Sequence, residues 1–183
     1  MRVATVCHLL RGDNGRGEIA LGVRASLFAN GVLNGSGGGM EKEDRGSTFV
    51  CVRRETWEEW GVTIYKKFTR HVATVDFYDK KNGVHDHAYR VYYFNTSKFD
   101  GDPRPLEGFT EVSWFSVQDL PLDRMMSDRK YWIHDALECP PDKLLVGTIF
   151  YGDDKQKTIE KWSFEFVSKN GTRNGKSNGN GRH

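Results

Sequence analysis

Residues Thr48 to Trp60, set between a glycine-rich run and a single glycine, carry the pattern that most narrows what this chain can become. Ser47 suits a helix N-cap and Gly61 the left-handed position just past a helix C-terminus, so the spacing predicts a helix over Thr48–Trp60 with a loop on either side. An α-helix turns about 100° per residue. Glu55, Glu58 and Glu59 therefore share one narrow face, where like charges repel. Such a face is either solvated and partly balanced by Arg53 and Arg54, or a site that divalent cations neutralise. Hard cations such as Mg²⁺ take carboxylate oxygens and share their remaining positions with substrate phosphates. The upstream run Asn34-Gly35-Ser36-Gly37-Gly38-Gly39 favours the second reading, because glycines let a backbone approach a phosphate closely. It is not a P-loop, since no Gly-Lys-Ser/Thr follows.

The length of 183 residues suits one domain with a substantial core. No apolar run approaches membrane-spanning length. The apolar start from Val3 to Leu10 contains Cys7-His8 and ends in Arg11-Gly12-Asp13, a strand and turn rather than a signal peptide. Cys7, Cys51 and Cys139 form no CxxC pair, which points to free thiols in a reducing compartment. The expectation is a monomeric cytoplasmic enzyme, with nucleus and mitochondria as further compartments and no membrane association. The net charge of +2 is uneven: the chain from Lys169 carries four Lys/Arg and no acid, leaving about −2 for the rest. That tail, residues 169–183, has nothing apolar to bury and is expected to be disordered, offering nucleic acid only a weak electrostatic contact. Residues 1–168 are read as the folded domain.

Alternation of apolar and polar residues predicts strands at Val3–Leu10 and Glu18–Arg24, joined through Gly12-Asp13-Asn14-Gly15. A second pair, Phe68–Tyr78 and His87–Asn95, brackets Lys80-Lys81-Asn82-Gly83. Glu111–Phe115 reads as a strand and Lys130–Leu137 as a helix. Leu144–Tyr151 and Lys157–Phe166 close the chain as a hairpin through Gly152-Asp153-Asp154. The fold class is α/β.

Arg54, Glu55, Glu58, Glu59, Gly61 and Val62 match the second half of G-x5-E-x7-R-E-U-x-E-E-x-G-U, where U is bulky and aliphatic. In this the chain resembles the Nudix family, whose fold is an α/β/α sandwich around a mixed sheet. The first half departs. With the box glycine at Gly38 and its first acid at Asp44, nine residues rather than seven precede Arg54. This reads as a two-residue insertion in the loop, with Glu43 or Asp44 in place of the usual glutamate. Flanking segments extend the resemblance to the MutT-homologue branch: Trp114-Phe115-Ser116-Val117-Gln118-Asp119-Leu120-Pro121, then Met125-Met126-Ser127-Asp128-Arg129-Lys130-Tyr131-Trp132, and upstream Thr5, Arg24, Phe28 and Asn34-Gly35.

That resemblance implies a Mg²⁺-dependent diphosphatase, with Mn²⁺ as an alternative cofactor, that converts oxidised purine nucleoside triphosphates such as 8-oxo-dGTP to monophosphate and pyrophosphate. Glu55, Glu58 and Glu59 would hold metal, joined by the Gly38 carbonyl and by Glu107 or Glu111, with Glu107 ahead. Glu55 is the candidate base. Arg54 would orient Glu55, or simply pair with Glu58 one turn on. The purine would meet Asn34 and a protonated Asp128 at its edge, Phe28 and Met126 on its faces, and Thr5 and Arg24 around it. Asn34 is otherwise a turn residue, and Met126 and Trp132 plain core; for Trp132 the core reading leads. Met126 stands where the branch has Trp, and Arg129 where it has a second Asp. Two other readings remain: hydrolysis of a different nucleoside diphosphate linked to X (a dinucleoside polyphosphate, a nucleotide sugar or an RNA cap), and a non-catalytic nucleotide- or RNA-binding module.

Overall fold

The computed structural model describes residues 1–12, 17–25, 31–153 and 158–169, and the backbone of 173–180. In chain order its regular elements are β1 (Arg2–Arg11), β2 (Glu18–Arg24), β3 (Leu33–Asn34), α1 (Thr48–Trp60), β4 (Thr63–Ile64), β5 (Thr69–Lys81), β6 (Val84–Thr96), β7 (Phe99–Asp100), β8 (Phe109–Ser116), α2 (Ile133–Leu137), β9 (Lys143–Tyr151), β10 (Ile159–Ser168) and β11 (Arg173–Asn180). Among the described residues a mixed sheet runs β11-β10-β9-β5-β6-β1-β2-β3, and β8 pairs with β2 off that path. β1 lies parallel to β6, and β5 parallel to β9; the hairpin partners are antiparallel.

Strand alternation builds the layers. Along β1, Val6 joins a core with Val75, Phe77, Tyr93, Trp132 and Ala136, while Cys7 and Leu9 face the opposite core with Val52, Trp60 and Phe94. The first core holds α2 and the second α1, so the helices lie on opposite faces of the sheet, as expected for the sandwich. Ile19 and Leu21 of β2 form a third cluster with Leu33, Met125, Ile133 and Leu137. Fully buried Trp60 and Trp132 anchor one layer each, and Trp132 packs edge-on to Tyr93 at 4.6 Å between ring centroids.

α1 spans the predicted residues because its ends are set locally. The Ser47 hydroxyl accepts from Val50 N at 3.3 Å, and Gly61 at φ 70° donates to the Thr56 and Trp57 carbonyls. Two expectations need correction. The strands of the second hairpin run on through Lys81 and from Val84, because Asn82 (φ 51°) and Gly83 (φ 79°) alone make the turn. The helix expected over Lys130–Leu137 is broken: a 3₁₀ turn at Arg129–Tyr131 precedes α2, and Trp132 sits between them at φ −154°. The backbone of Arg173–Asn180 runs antiparallel along the outer edge of β10. The turn residues Asp13, Asn14, Gly15 and Asp154 lie outside the described residues.

Ile149 is fully buried toward the C-terminal end of β9. Ile149→Ala is expected to lower unfolding free energy by about 2–5 kcal/mol, read as a shifted urea midpoint at constant slope. A shift worth less than about 1 kcal/mol would mean that the sheet is not packed on this face.

Candidate active site

The glycine-rich run lies along β1 as an irregular partner. Thr5 N donates to Gly38 O at 2.9 Å, Cys7 N to Ser36 O at 2.7 Å, and Met40 N to Val3 O at 2.9 Å. Gly37 adopts φ 152° against the Thr5 carbonyl, where a side chain has no room. A Cβ on Gly38 would stand 2.5 Å from a Glu55 carboxylate oxygen. The Ser36 hydroxyl donates to Thr56 at 3.1 Å, pinning the run to α1. The loop backbone is thus pressed onto the acidic helix face.

Glu59 is 6% exposed and Glu55 9%, while Glu58 is half-buried. Burying carboxylates disfavours their charge. Burial pushes the Glu59 carboxyl up to about 7, although Arg24 and the Gly37 amide pull it down. Burial also raises Glu55, opposed by Arg54. Two arginines answer these acids. Arg24 donates to Glu59 at 3.0 Å and to the Gly37 carbonyl, and Gly37 N donates to Glu59 at 2.5 Å. Arg54 Nη1 stands 2.9 Å from both Glu55 and Glu58, so its orienting role and its pairing one turn along the helix coexist. Its Nε and Nη2 grip the two Asp44 oxygens at 3.1 and 3.0 Å.

Asp44 is buried and Glu43 exposed, so Asp44 is the loop acid that reaches the helix. Arg54 holds its carboxyl below the usual range despite desolvation. The longer loop is absorbed by a 3₁₀ turn at Lys42–Asp44 and two left-handed residues, Arg45 (φ 50°) and Gly46 (φ 75°).

Among the described residues no three His, Cys, Asp or Glu side chains converge as a ready metal cage. The donor set nevertheless suits a hard cation: three carboxylates lie within one helical turn, and the Gly38 carbonyl has a second lone pair beyond its bond to Thr5. Guanidinium groups supply the positive charge here. Glu107 lies on the exposed loop between Leu106, whose amide donates to Glu59 O at 2.9 Å, and Gly108, where a Cβ would stand 3.8 Å from a Glu59 carboxylate oxygen. Glu111 instead sits on β8 and accepts from Ser113 at 3.0 Å.

Beside the acids opens a cavity of about 250 Å³, lined by Thr5, Arg24, Asn34, Met126 and Asp128, all singled out from the sequence, and by Gly37 and Gly38. Phe28 lies outside the described residues. Sequence reasoning missed the walls Phe77, Tyr89, Tyr93 and Tyr151, whose only signal is strand alternation. It also missed the Arg24–Glu59 contact. Asp128 is held at the cavity floor: its Oδ2 accepts from Arg129 and the Trp132 indole, both at 2.8 Å, and its Oδ1 meets the Tyr151 hydroxyl at 2.9 Å. Guanidinium and indole can only donate, so Oδ2 serves as an acceptor. Trp132 is core, as expected.

The raised Glu59 pKa has a stability consequence. Between its unfolded value near 4.5 and about 7 the folded state keeps a proton that the unfolded state has lost, so stability falls as pH rises through that window. His8 works the other way, because burial pushes it from 6.5 down to about 4. The comparison is therefore wild type against Glu59→Gln. The stability difference is expected to move in favour of the variant from pH 4.5 to about 7 and level off above. A pH-independent difference in urea midpoints would remove this account of Glu59.

The NUDIX domain family matches residues 1–136. A MutT protein from Bacillus halodurans superposes with TM-score 0.71 over 90% of this chain and 97% of its own, at 20% identity. A MutT NUDIX hydrolase from Burkholderia pseudomallei gives 0.58 over 75% and 96% at 26% identity, and the NUDIX domain of Shewanella oneidensis NrtR, complexed with ADP ribose, 0.57 over 74% and 85% at 12%. No curated protein matches the sequence. With the match covering most of its length, the chain belongs to the NUDIX domain family of pyrophosphohydrolases, enzymes that act on nucleotide substrates and generally use divalent metals.

Proposed function

We propose that this chain is a Mg²⁺-dependent nucleoside triphosphate diphosphatase that takes purine nucleotides and releases monophosphate and pyrophosphate. One observation supports this above others: the aromatic cavity and the acidic face share their walls. Arg24, Gly37 and Gly38 line the cavity, while Arg24 and Gly37 hold Glu59 and Gly38 lies against Glu55. A base in the cavity sends its phosphates across the glycine loop toward the glutamates.

Glu55, Glu58 and Glu59 would hold the cation, with the Gly38 carbonyl and Glu107 completing its shell. When bound, the metal neutralises phosphate charge and activates water. The protein's own groups do the rest. Arg54 aligns Glu55 through the contact at 2.9 Å, and Glu55, its pKa raised by burial, is suited to take the water's proton near neutral pH. Arg24 fixes Glu59 and the Gly37 carbonyl, so the loop presents its backbone in one conformation. Met126 supplies an adaptable apolar surface to the base. Oxidised purines such as 8-oxo-dGTP remain within this substrate class.

The test is a panel of oxidised and unmodified purine triphosphates with Mg²⁺, extended to a dinucleoside polyphosphate and to ADP ribose, the ligand of the Shewanella domain. Pyrophosphate release from the triphosphates is expected, and absence of turnover on the whole panel would sink the reading. Glu59→Gln is expected to lower turnover about 100-fold or more while the melting temperature stays near wild type. Retained turnover would make that glutamate structural.

A further inference from the structure

Arg129 is 3% exposed, yet it lines the base cavity. Its guanidinium carbon lies 5.0 Å from the Tyr93 ring centre and 4.7 Å from that of Trp132, within cation–π reach of both. Nη1 donates to Asp128 at 2.8 Å, Nη2 reaches the Asn34 side-chain oxygen at 3.4 Å, and Nε has no hydrogen-bond partner. Burial works against its charge, but Asp128 beside it keeps the guanidinium protonated. An arginine carries five N–H donors and no acceptor, more donors than these contacts consume.

Its neighbours are biased the same way. Asn34 turns its oxygen to two donors, Gly35 N at 3.0 Å and Arg129, which leaves its amide nitrogen to a ligand. Asp128, the acid that lines the cavity, already accepts from Arg129, Trp132 and Tyr151. The polar floor of the cavity is therefore weighted toward hydrogen-bond donors, with three of the roughly four acceptor positions of Asp128 already engaged.

We propose that Arg129 makes this pocket a reader of nucleobase edges that present two adjacent acceptors, and that its preferred ligand is unmodified guanine at O6 and N7. Planar guanidinium matches that pair as a fork. Oxidation at C8 converts N7 into an N–H donor, which would meet donors. Adenine sets an amino donor beside its N7 and fails similarly. This rests on the diphosphatase reading above and replaces its oxidised-purine branch by a selection against 8-oxoguanine.

The experiment compares kcat/KM of the wild-type protein with Mg²⁺ for dGTP, 7-deaza-dGTP (which lacks the N7 acceptor), 8-oxo-dGTP and dATP. The expected result is that dGTP leads each of the others by about 10- to 100-fold. Arg129→Leu is expected to bring dGTP and 7-deaza-dGTP within about threefold of each other. Arg129→Asp is expected to raise 8-oxo-dGTP relative to dGTP. Because the first comparison uses the wild-type chain, it decides even where a variant fails to fold. Equal rates on dGTP and 7-deaza-dGTP, or a lead for 8-oxo-dGTP, with pyrophosphate still released, overturn the role of Arg129 and leave the diphosphatase standing. No turnover of any nucleotide overturns both.

Discussion

Two buried carboxylates on α1 set the terms for everything around them. Taking an ion out of water costs several kcal/mol unless it is paired and hydrogen-bonded, and Glu55 and Glu59 lie one helical turn apart beneath a backbone loop. The fold answers from three directions. Arg54 reaches Glu55 along the helix, Arg24 comes in from β2 to Glu59, and the Gly37 amide donates from above. Each answer recruits further structure. Arg54 needs Asp44 to hold its fork, Arg24 rests 4.6 Å from the Phe109 ring centre, and the glycine run must lie on β1 to bring Gly37 within reach. Removing either arginine would leave a buried carboxylate unmatched, so these pairs tie the loop, the helix and β2 together.

How much of this was legible in the sequence depended on the range of the forces involved. The bounds of α1 could be read because Ser47 and Gly61 act within one turn of the residues they cap. The glutamate face could be read because helical spacing is fixed. The altered first half of the box was readable only as an insertion. That Asp44 rather than Glu43 meets Arg54 depends on the 3₁₀ turn and the left-handed pair Arg45-Gly46. Hairpin edges were missed where local chemistry misled: Lys80 and Lys81 look like loop residues, yet Lys80 pairs with Glu160 at 2.7 Å across the sheet. The Arg24–Glu59 and Asp128–Arg129 contacts were illegible for different reasons. The first spans β2 and α1; the second joins adjacent residues whose geometry is set by Trp132, Tyr151 and Asn34 from other parts of the chain.

The cavity and the acids share a wall but draw on different elements. Arg24 and Gly37 belong to both regions, Arg24 reaching Glu59 directly from β2 and Gly37 from the glycine loop. Met126, Asp128 and Arg129 come from the segment before α2 and line the cavity from another part of the chain. The cavity floor thus sits on one set of elements and the acidic face on another. This division lets one fold host different nucleotide chemistries without rebuilding its acidic helix.

The Asp128–Arg129 pair is not easily explained as a source of stability. Buried ion pairs commonly do no better than apolar side chains of similar volume, because desolvation offsets their attraction. This pair is costly to break but replaceable as a unit, and its surroundings are already aromatic: Tyr93, Trp132 and Tyr151 could pack against two apolar residues. What apolar residues could not supply is direction. Asp128 ties the Trp132 indole to the Tyr151 hydroxyl, and Arg129 extends the tie to Asn34 on β3, so three separate segments are registered around the cavity floor. A hydrophobic floor would hold a base by its faces alone. A registered row of N–H groups would also constrain which edge a base presents, which is the role the proposal gives to the buried charge.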